Sequence, residues 1–446
     1  MRNGPIQLSD HFSYRRLLRF TLPTIGMMVF TSLYGLVDGF FVSNYAGKTA
    51  FAAVNFAWPF LGMLGVVGFM FGSGGNAIVS RLLGQRHPEK AREVFSMLVW
   101  LALGIGVVMA LPGWFFLRPI MLWLGASEEI LPQCVLYGRI ILLALPASLL
   151  QYEFQTFLST AEKPQLGFQF TFAAGMTNML LDALFIGIFK WGVAGAALAT
   201  ALGQCVGGIG PLLYFWRPNT SLLRLTHFLF DGKALLETCI NGSSELLSSI
   251  SMSVISMLYN FQLMRYIGEN GVAAYGTLMY VCFIFVAWFV GYCVGVSPLI
   301  GYHYGAENRI ELKSLFRKSL LLISLFSVLM TAFAELSAGV LSDLYVGYDP
   351  QLRALTLRAF RVCSLSFLIS GFNIFGSSLF TALGNGPVSA AISFFRTLVC
   401  EVAAVLILPL LLGIEGIWLS VLVAEAVALL LTLFFVVLYR NRYGYC

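Results

Sequence analysis

GQRHPEKAREVFS, residues 84–96, and GAENRIELKSLFRKS, residues 305–319, are two versions of one pattern. Each is a glycine, a short charged turn, and then the entry to a long apolar run. Gly84 and Gly305 are 221 residues apart, and Thr160-Ala161 and Thr381-Ala382 keep the same spacing. So do Gly192-x-x-Gly195 and Gly413-x-x-Gly416. Three matches at one offset are poorly explained by chance in so apolar a chain. The sequence is therefore read as a duplication, with the two copies related by an axis along the membrane normal if each holds an even number of spans.

Composition leaves little room for anything but spans. Of 446 residues, 59% are hydrophobic and 11% charged, against roughly 25% charged in a soluble domain; the mean hydropathy is +0.84. A membrane crossing takes about 20 apolar residues. Runs between charged or Pro/Gly-rich breaks predict spans near 15–43, 50–80, 92–117, 129–158, 165–189 and 193–216. A second set falls near 234–265, 272–304, 312–335, 352–382, 387–412 and 416–439. The expectation is an all-α integral membrane protein of twelve transmembrane helices. Residues 1–216 form an N-lobe, 217–233 a polar cytoplasmic linker, and 234–446 a C-lobe. The first apolar stretch, Leu17 to Tyr45, exceeds the roughly 7–15 residues of a signal-peptide core and is read as a retained helix.

Several function classes drop out. The eight cysteines show no CxxC pairing and the four histidines no HExxH or Cys/His cluster, so no metal chemistry is expected of them. Gly47-Lys48-Thr49 is the nearest approach to a phosphate loop, but Val42 stands where its first glycine would be. No nucleotide is expected, and any pumping must draw on an ion gradient. Lysine and arginine collect at the N-terminus and in the turns near 81–92, 163, 217–233, 309–318 and 440–442. This bias predicts both termini on the cytoplasmic side of the cell membrane. The net charge of +6 then reads as chemistry of the inner leaflet and not as nucleic-acid binding.

Acids inside spans carry the functional signal, because each costs roughly 2.5–3.5 kcal/mol at a helix centre unless it faces protein or a wet cavity. Asp38 follows Tyr34 by four residues, Asp182 follows Asn178 by four, and Gln204 follows Thr200 by four. That spacing sets each pair on one helical stripe. Three polar stripes in one lobe predict a shared pocket of carboxylates, amide and hydroxyl, suited to Na+ or to a proton; the plainer alternative is a structural hydrogen-bond cluster. In the second lobe Glu245 follows a Gly-Ser-Ser break and is a candidate for substrate or ion. Arg396 and Glu401, five apart, are expected to pair within the bundle. Glu153 and Gln155 are open to either reading, Gln155 standing as a supporting candidate.

The segments YGLVDGFFVSNYAG (34–47), SGGNAIVSRLLGQRHPEKA (73–91), GMTNMLLDALF (175–185), KWGVAGAALAT (190–200) and NGSSELLSSIS (241–251) together carry a resemblance. So do GVSPLIGYHYGAEN (295–308), TALGNGPVSAAISFFRT (381–397) and GIEGIWLSVLVAE (413–425). Nearly the whole chain resembles the bacterial branch of the multidrug and toxic compound extrusion (MATE) transporters. The resemblance implies two six-helix lobes in a V, related by pseudo-two-fold symmetry, and antiport of organic cations or drugs against H+ or Na+. It also implies an N-lobe ion site, matched here by Asp38, Asn178, Asp182 and Thr200. Glu245 matches a seventh-helix acid that serves the C-lobe in some members. Those members also carry an acid on the tenth helix, where SLSFLISGFNIFGSSLF (364–380) offers Asn373 but no carboxylate. Coupling is therefore expected to run through the N-lobe.

The main alternative within the same broader superfamily is a flippase of lipid-linked sugars or another amphipathic lipid. It would need a cavity rich in arginine, and Arg139 and Arg396 are the only cations deep in the spans, apart from Arg358 and Arg361 near the end of the tenth. A membrane-embedded enzyme would need convergent catalytic groups that the sequence does not offer. The expectation is a monomeric transporter without a cofactor, its partners being the lipid bilayer and small organic cations.

Overall fold

A computed structural model describes residues 6–347 and 349–446. The first six spans are α1 (Tyr14–Ala46), α2 (Lys48–Gly84), α3 (Pro88–Trp123), α4 (Leu131–Thr160), α5 (Pro164–Ile188) and α6 (Gly192–Trp216). Residues 217–231 then cross to α7 (Gly232–Tyr266), α8 (Asn270–Gly305) and α9 (Arg309–Val346). The chain ends with α10 (Pro350–Ser364), α11 (Phe367–Ala382), α12 (Gly386–Leu412) and α13 (Ile414–Tyr443). Prolines open α3, α5 and α10, where the missing N–H costs nothing.

The tenth span is not the single helix expected over 352–382. It is α10 and α11, bent by 48°. No proline causes this. Ser364 Oγ and Ser366 Oγ instead donate to the carbonyls of Arg361 and Cys363, at 2.7 and 2.6 Å, inside the turn that breaks. Counting that pair once gives twelve spans among the described residues. Large apolar side chains such as Phe115, Leu336, Val340 and Leu411 stay exposed on the outside, as a lipid-facing surface requires.

The duplication is visible in the packing. Arg86 and Glu307, 221 residues apart in the two copies, both take the left-handed conformation, at φ 63° and 55°. Asn76 Nδ2 donates to Ser297 Oγ at 3.3 Å, and these residues are also 221 apart, so the contact lies on the pseudo-two-fold axis. At Gly84 a Cβ would lie 2.1 Å from the Tyr302 carbonyl, and at Gly305 one would lie 2.2 Å from that of Arg81. The ends of α2 and α8 therefore touch backbone to backbone.

The lobes also close on each other near this end. Arg81 of α2 pairs with Glu237 of α7 at 3.0 Å. The segment before α1 ties both lobes: Leu8 N–H donates to Glu162 at 2.6 Å, and Phe12 N–H to Glu311 at 2.9 Å. Lys318 reaches the Phe12 carbonyl. Along α1 the seam with α8 runs through Thr21, Thr24, Ile25 and the Met27–Met28 cluster. Past Thr31 the same helix lines a cavity instead.

Candidate functional site

The cavity has a volume of about 410 Å³ and is walled by α1, α2, α4, α5 and α6, with Phe283 of α8 at its margin. Glycines allow these helices to meet. A Cβ on Gly175 would lie 2.5 Å from Phe30 and 2.8 Å from Tyr34, and one on Gly203 would lie 2.9 Å from the Ala174 carbonyl. Close packing of α1, α5 and α6 aims their polar stripes at one another.

Asp38, Tyr34, Asn178, Thr200 and Gln204 all line this space. Asp182 lies just behind it, fully buried, with its carboxyl beside that of Asp38 and near the Asn178 amide. Asn178 Nδ2 donates to Thr200 Oγ1 at 3.4 Å. Two of the expected residues lie elsewhere. Glu245, on α7, does not line the cavity. Gln155 is buried on α4, does not line the cavity, and leaves its Nε2 unpartnered. Glu153 is also fully buried, its Cα 3.0 Å from the Cβ position of Gly72, with neither carboxylate oxygen hydrogen-bonded.

The state of the oxygens decides what the site can do. Asp38 Oδ1, Asn178 Oδ1 and both carboxylate oxygens of Asp182 are buried without a donor. Buried acceptors are normally paired, because desolvating one without a partner costs about 1–3 kcal/mol and more for a charge. Two adjacent carboxylates and an amide oxygen in one place can be satisfied together by a cation, while a proton can be shared between the two carboxylates. The helices also change pitch here: α1 widens into a π turn at Val42–Ala46, four residues past Asp38, and α5 at Ala183–Ile188, one past Asp182. Such turns are rare and recur at functional sites.

Sequence reasoning missed Tyr137, Gln151, Tyr152, Asn55 and Trp58, which share the lining. A signal existed on α4. Tyr137 and Gln151 are fourteen residues apart, close to four turns, and so fall on one face of that helix.

The MatE family model matches residues 23–184 and again 246–407, once in each lobe. The chain belongs to the MatE family. Among its curated relatives are two named multidrug export protein MepA. That of Staphylococcus haemolyticus is 26% identical over 96% of this chain and 94% of its own length, and that of Staphylococcus aureus strain MRSA252 is 24% identical over the same shares. A solved MATE structure in complex with MaL6 superposes with TM-score 0.93 at 22% identity, all of both chains being covered. An outward-facing multidrug resistance MATE transporter gives TM-score 0.92 at 22% identity, again over both whole chains.

The second lobe of this MATE protein corrects one expectation. Arg396 does not pair with Glu401. Its Nε and Nη2 donate to Glu425 of α13 at 2.7–3.0 Å, and Asn373 Nδ2 donates to the same carboxylate at 2.7 Å. Thr432 Oγ1 completes the set by donating to Asn373 Oδ1 at 2.8 Å. The carboxylate that α11 lacks is thus brought to it by α13, already neutralised.

Proposed function

We propose that this MATE protein is a secondary active multidrug exporter of the cell membrane. Entry of H+ or Na+ at Asp38 and Asp182 drives efflux of drug-like organic cations by alternating access. The observation that carries this reading is the group of donor-less buried oxygens beside a cavity. An ion arriving there satisfies them, draws α1 and α5 together, and disfavours a cationic drug in the same space. No lysine or arginine lines the cavity among the described residues, which suits cationic cargo and argues against a lipid phosphate. Arg139 lies instead over Trp114, 5.3 Å from the ring centroid. The basic face at the amino terminus and linker is the cytoplasmic one in this reading.

One charge crossing about 150 mV supplies roughly 3.4 kcal/mol, enough for a drug gradient of about 300-fold. The test is ethidium efflux from proteoliposomes under imposed pH or Na+ gradients. Asp38→Asn and Asp182→Asn are each expected to abolish gradient-driven efflux with folded yield unchanged. Full efflux by either variant refutes the assignment, and the gradient that drives the wild type identifies the ion.

A further inference from the structure

A second cavity, of about 420 Å³, lies where the ends of α2 and α8 meet, at the face that carries the linker. It is built from both lobes. Arg81 and Gln85 come from the end of α2, while His303, Glu307, Arg309 and Arg442 come from α8, the turn after it, α9 and α13.

Its charges are unbalanced. Arg81 is held by Glu237 at 3.0 Å, but neither Arg309 nor Arg442 makes an ion pair among the described residues. Both are exposed, and each rests on a neighbour. Arg309 lies along Gly444, where φ is 70° and a Cβ would come 3.1 Å from its Cδ. The Arg442 guanidinium sits 5.6 Å over the ring of Tyr443. His303 closes the inner wall, only 2% exposed, its ring edge-on to Phe12 at 6.4 Å between centroids.

The geometry points to a binding site for a phosphate-bearing anion, the headgroup of an anionic phospholipid or a soluble phosphate, clasped between the lobes. Guanidinium groups match phosphate oxygens bidentately, and basic pockets between spans at this depth suit lipid headgroups. Arg81 belongs to one lobe while Arg309 and Arg442 belong to the other. The full set exists only while the seam is shut, so a bound anion biases the transporter toward the state closed at this face. Nothing in this inference depends on which ion or drug the first cavity takes.

Native mass spectrometry of the full-length protein released from nanodiscs tests it. The discs contain phosphatidylcholine alone, phosphatidylcholine with phosphatidylglycerol, or phosphatidylcholine with added inorganic phosphate. Wild type is expected to retain one anion, and Arg309→Gln/Arg442→Gln to bind it about tenfold more weakly or worse. Arg118→Gln, in α3 away from the cavity, should bind as wild type does. Glu307→Gln removes the carboxylate that lines the cavity and should tighten retention, a gain that a misfolded chain could not show. Retention of phosphatidylglycerol that phosphate does not displace identifies a lipid headgroup, and retention of phosphate itself identifies a soluble ligand. Loss of neither anion on the double substitution, or no retention of either by wild type, overturns the proposal.

Discussion

In the first lobe Asp38 and Asp182 face each other with no cation paired to either among the described residues. In the second, Glu425 receives two nitrogens of Arg396 and the amide of Asn373. The duplication makes this contrast sharper. Position 204 in one copy corresponds to 425 in the other, and there Gln204 faces Glu425 in the alignment; position 38 corresponds to 259, and Asp38 is replaced by Tyr259. Each lobe keeps its acid where its twin is neutral. A buried acid with a built-in partner has no use for an ion, since its charge is already compensated. A pair of acids without one has to recruit a cation or a proton, because leaving both charged in low dielectric is expensive. Glu425 is thereby compensated within its own lobe, whereas Asp38 and Asp182 are not.

Breaking that compensation should have the largest effect on folding. Arg396→Met leaves Glu425 buried without its counter-ion, which costs about 3–5 kcal/mol. Arg396→Met/Glu425→Met removes both charges, and the apolar replacement is expected to recover most of that loss. Thermal unfolding of the purified protein measures both. By the same contrast, neither substitution at Asp38 or Asp182 should cost folded yield. If the double variant is as unstable as the single one, the ion pair is not what holds α11, α12 and α13 together.

The repeat, the spans and the pairs at i, i+4 were legible because helical periodicity and a fixed offset need no tertiary information. The partner of Arg396 was not. Glu401 is five residues away on the same helix, too offset for an ideal helix pair though within reach of long side chains, and nothing in the spacing points to Glu425, twenty-nine residues away on the next helix, which the fold delivers. The break of the tenth span was equally hidden, since Ser364 and Ser366 look like ordinary small polar residues until their hydroxyls are seen to donate to backbone carbonyls. Tyr137, Gln151 and Tyr152 share one face of α4 with no charge to draw notice. A stripe shows that a face is polar; which helix it meets is settled by glycines such as Gly175 and Gly203, whose effect is on packing distance.

Copies with one sequence pattern can also differ at the seam, which offers the smallest and most discriminating test. Gly74 and Gly295 are 221 residues apart, the first facing α7 and the second α1. A Cβ on Gly74 would lie 2.1 Å from the Thr238 carbonyl and 2.7 Å from the Gly242 nitrogen, both backbone atoms that cannot step aside. A Cβ on Gly295 would lie 2.5 Å from Thr24 Oγ1, which can rotate away from its bond to the Thr21 carbonyl, although Thr21 Cα stays at 3.1 Å. Overpacking costs typically 1–3 kcal/mol, while alanine in a helix gains back up to about 1. Gly74→Ala is therefore expected to lose roughly 1–2 kcal/mol, and Gly295→Ala less than about 1. Because both glycines lie where the lobes touch, the cost falls on the closed seam alone. A distance measured between spin labels on the ends of α2 and α8 should lengthen in Gly74→Ala and barely change in Gly295→Ala. Equal responses would mean that the two lobes meet through equivalent surfaces, and that the asymmetry of this transporter ends at its buried charges.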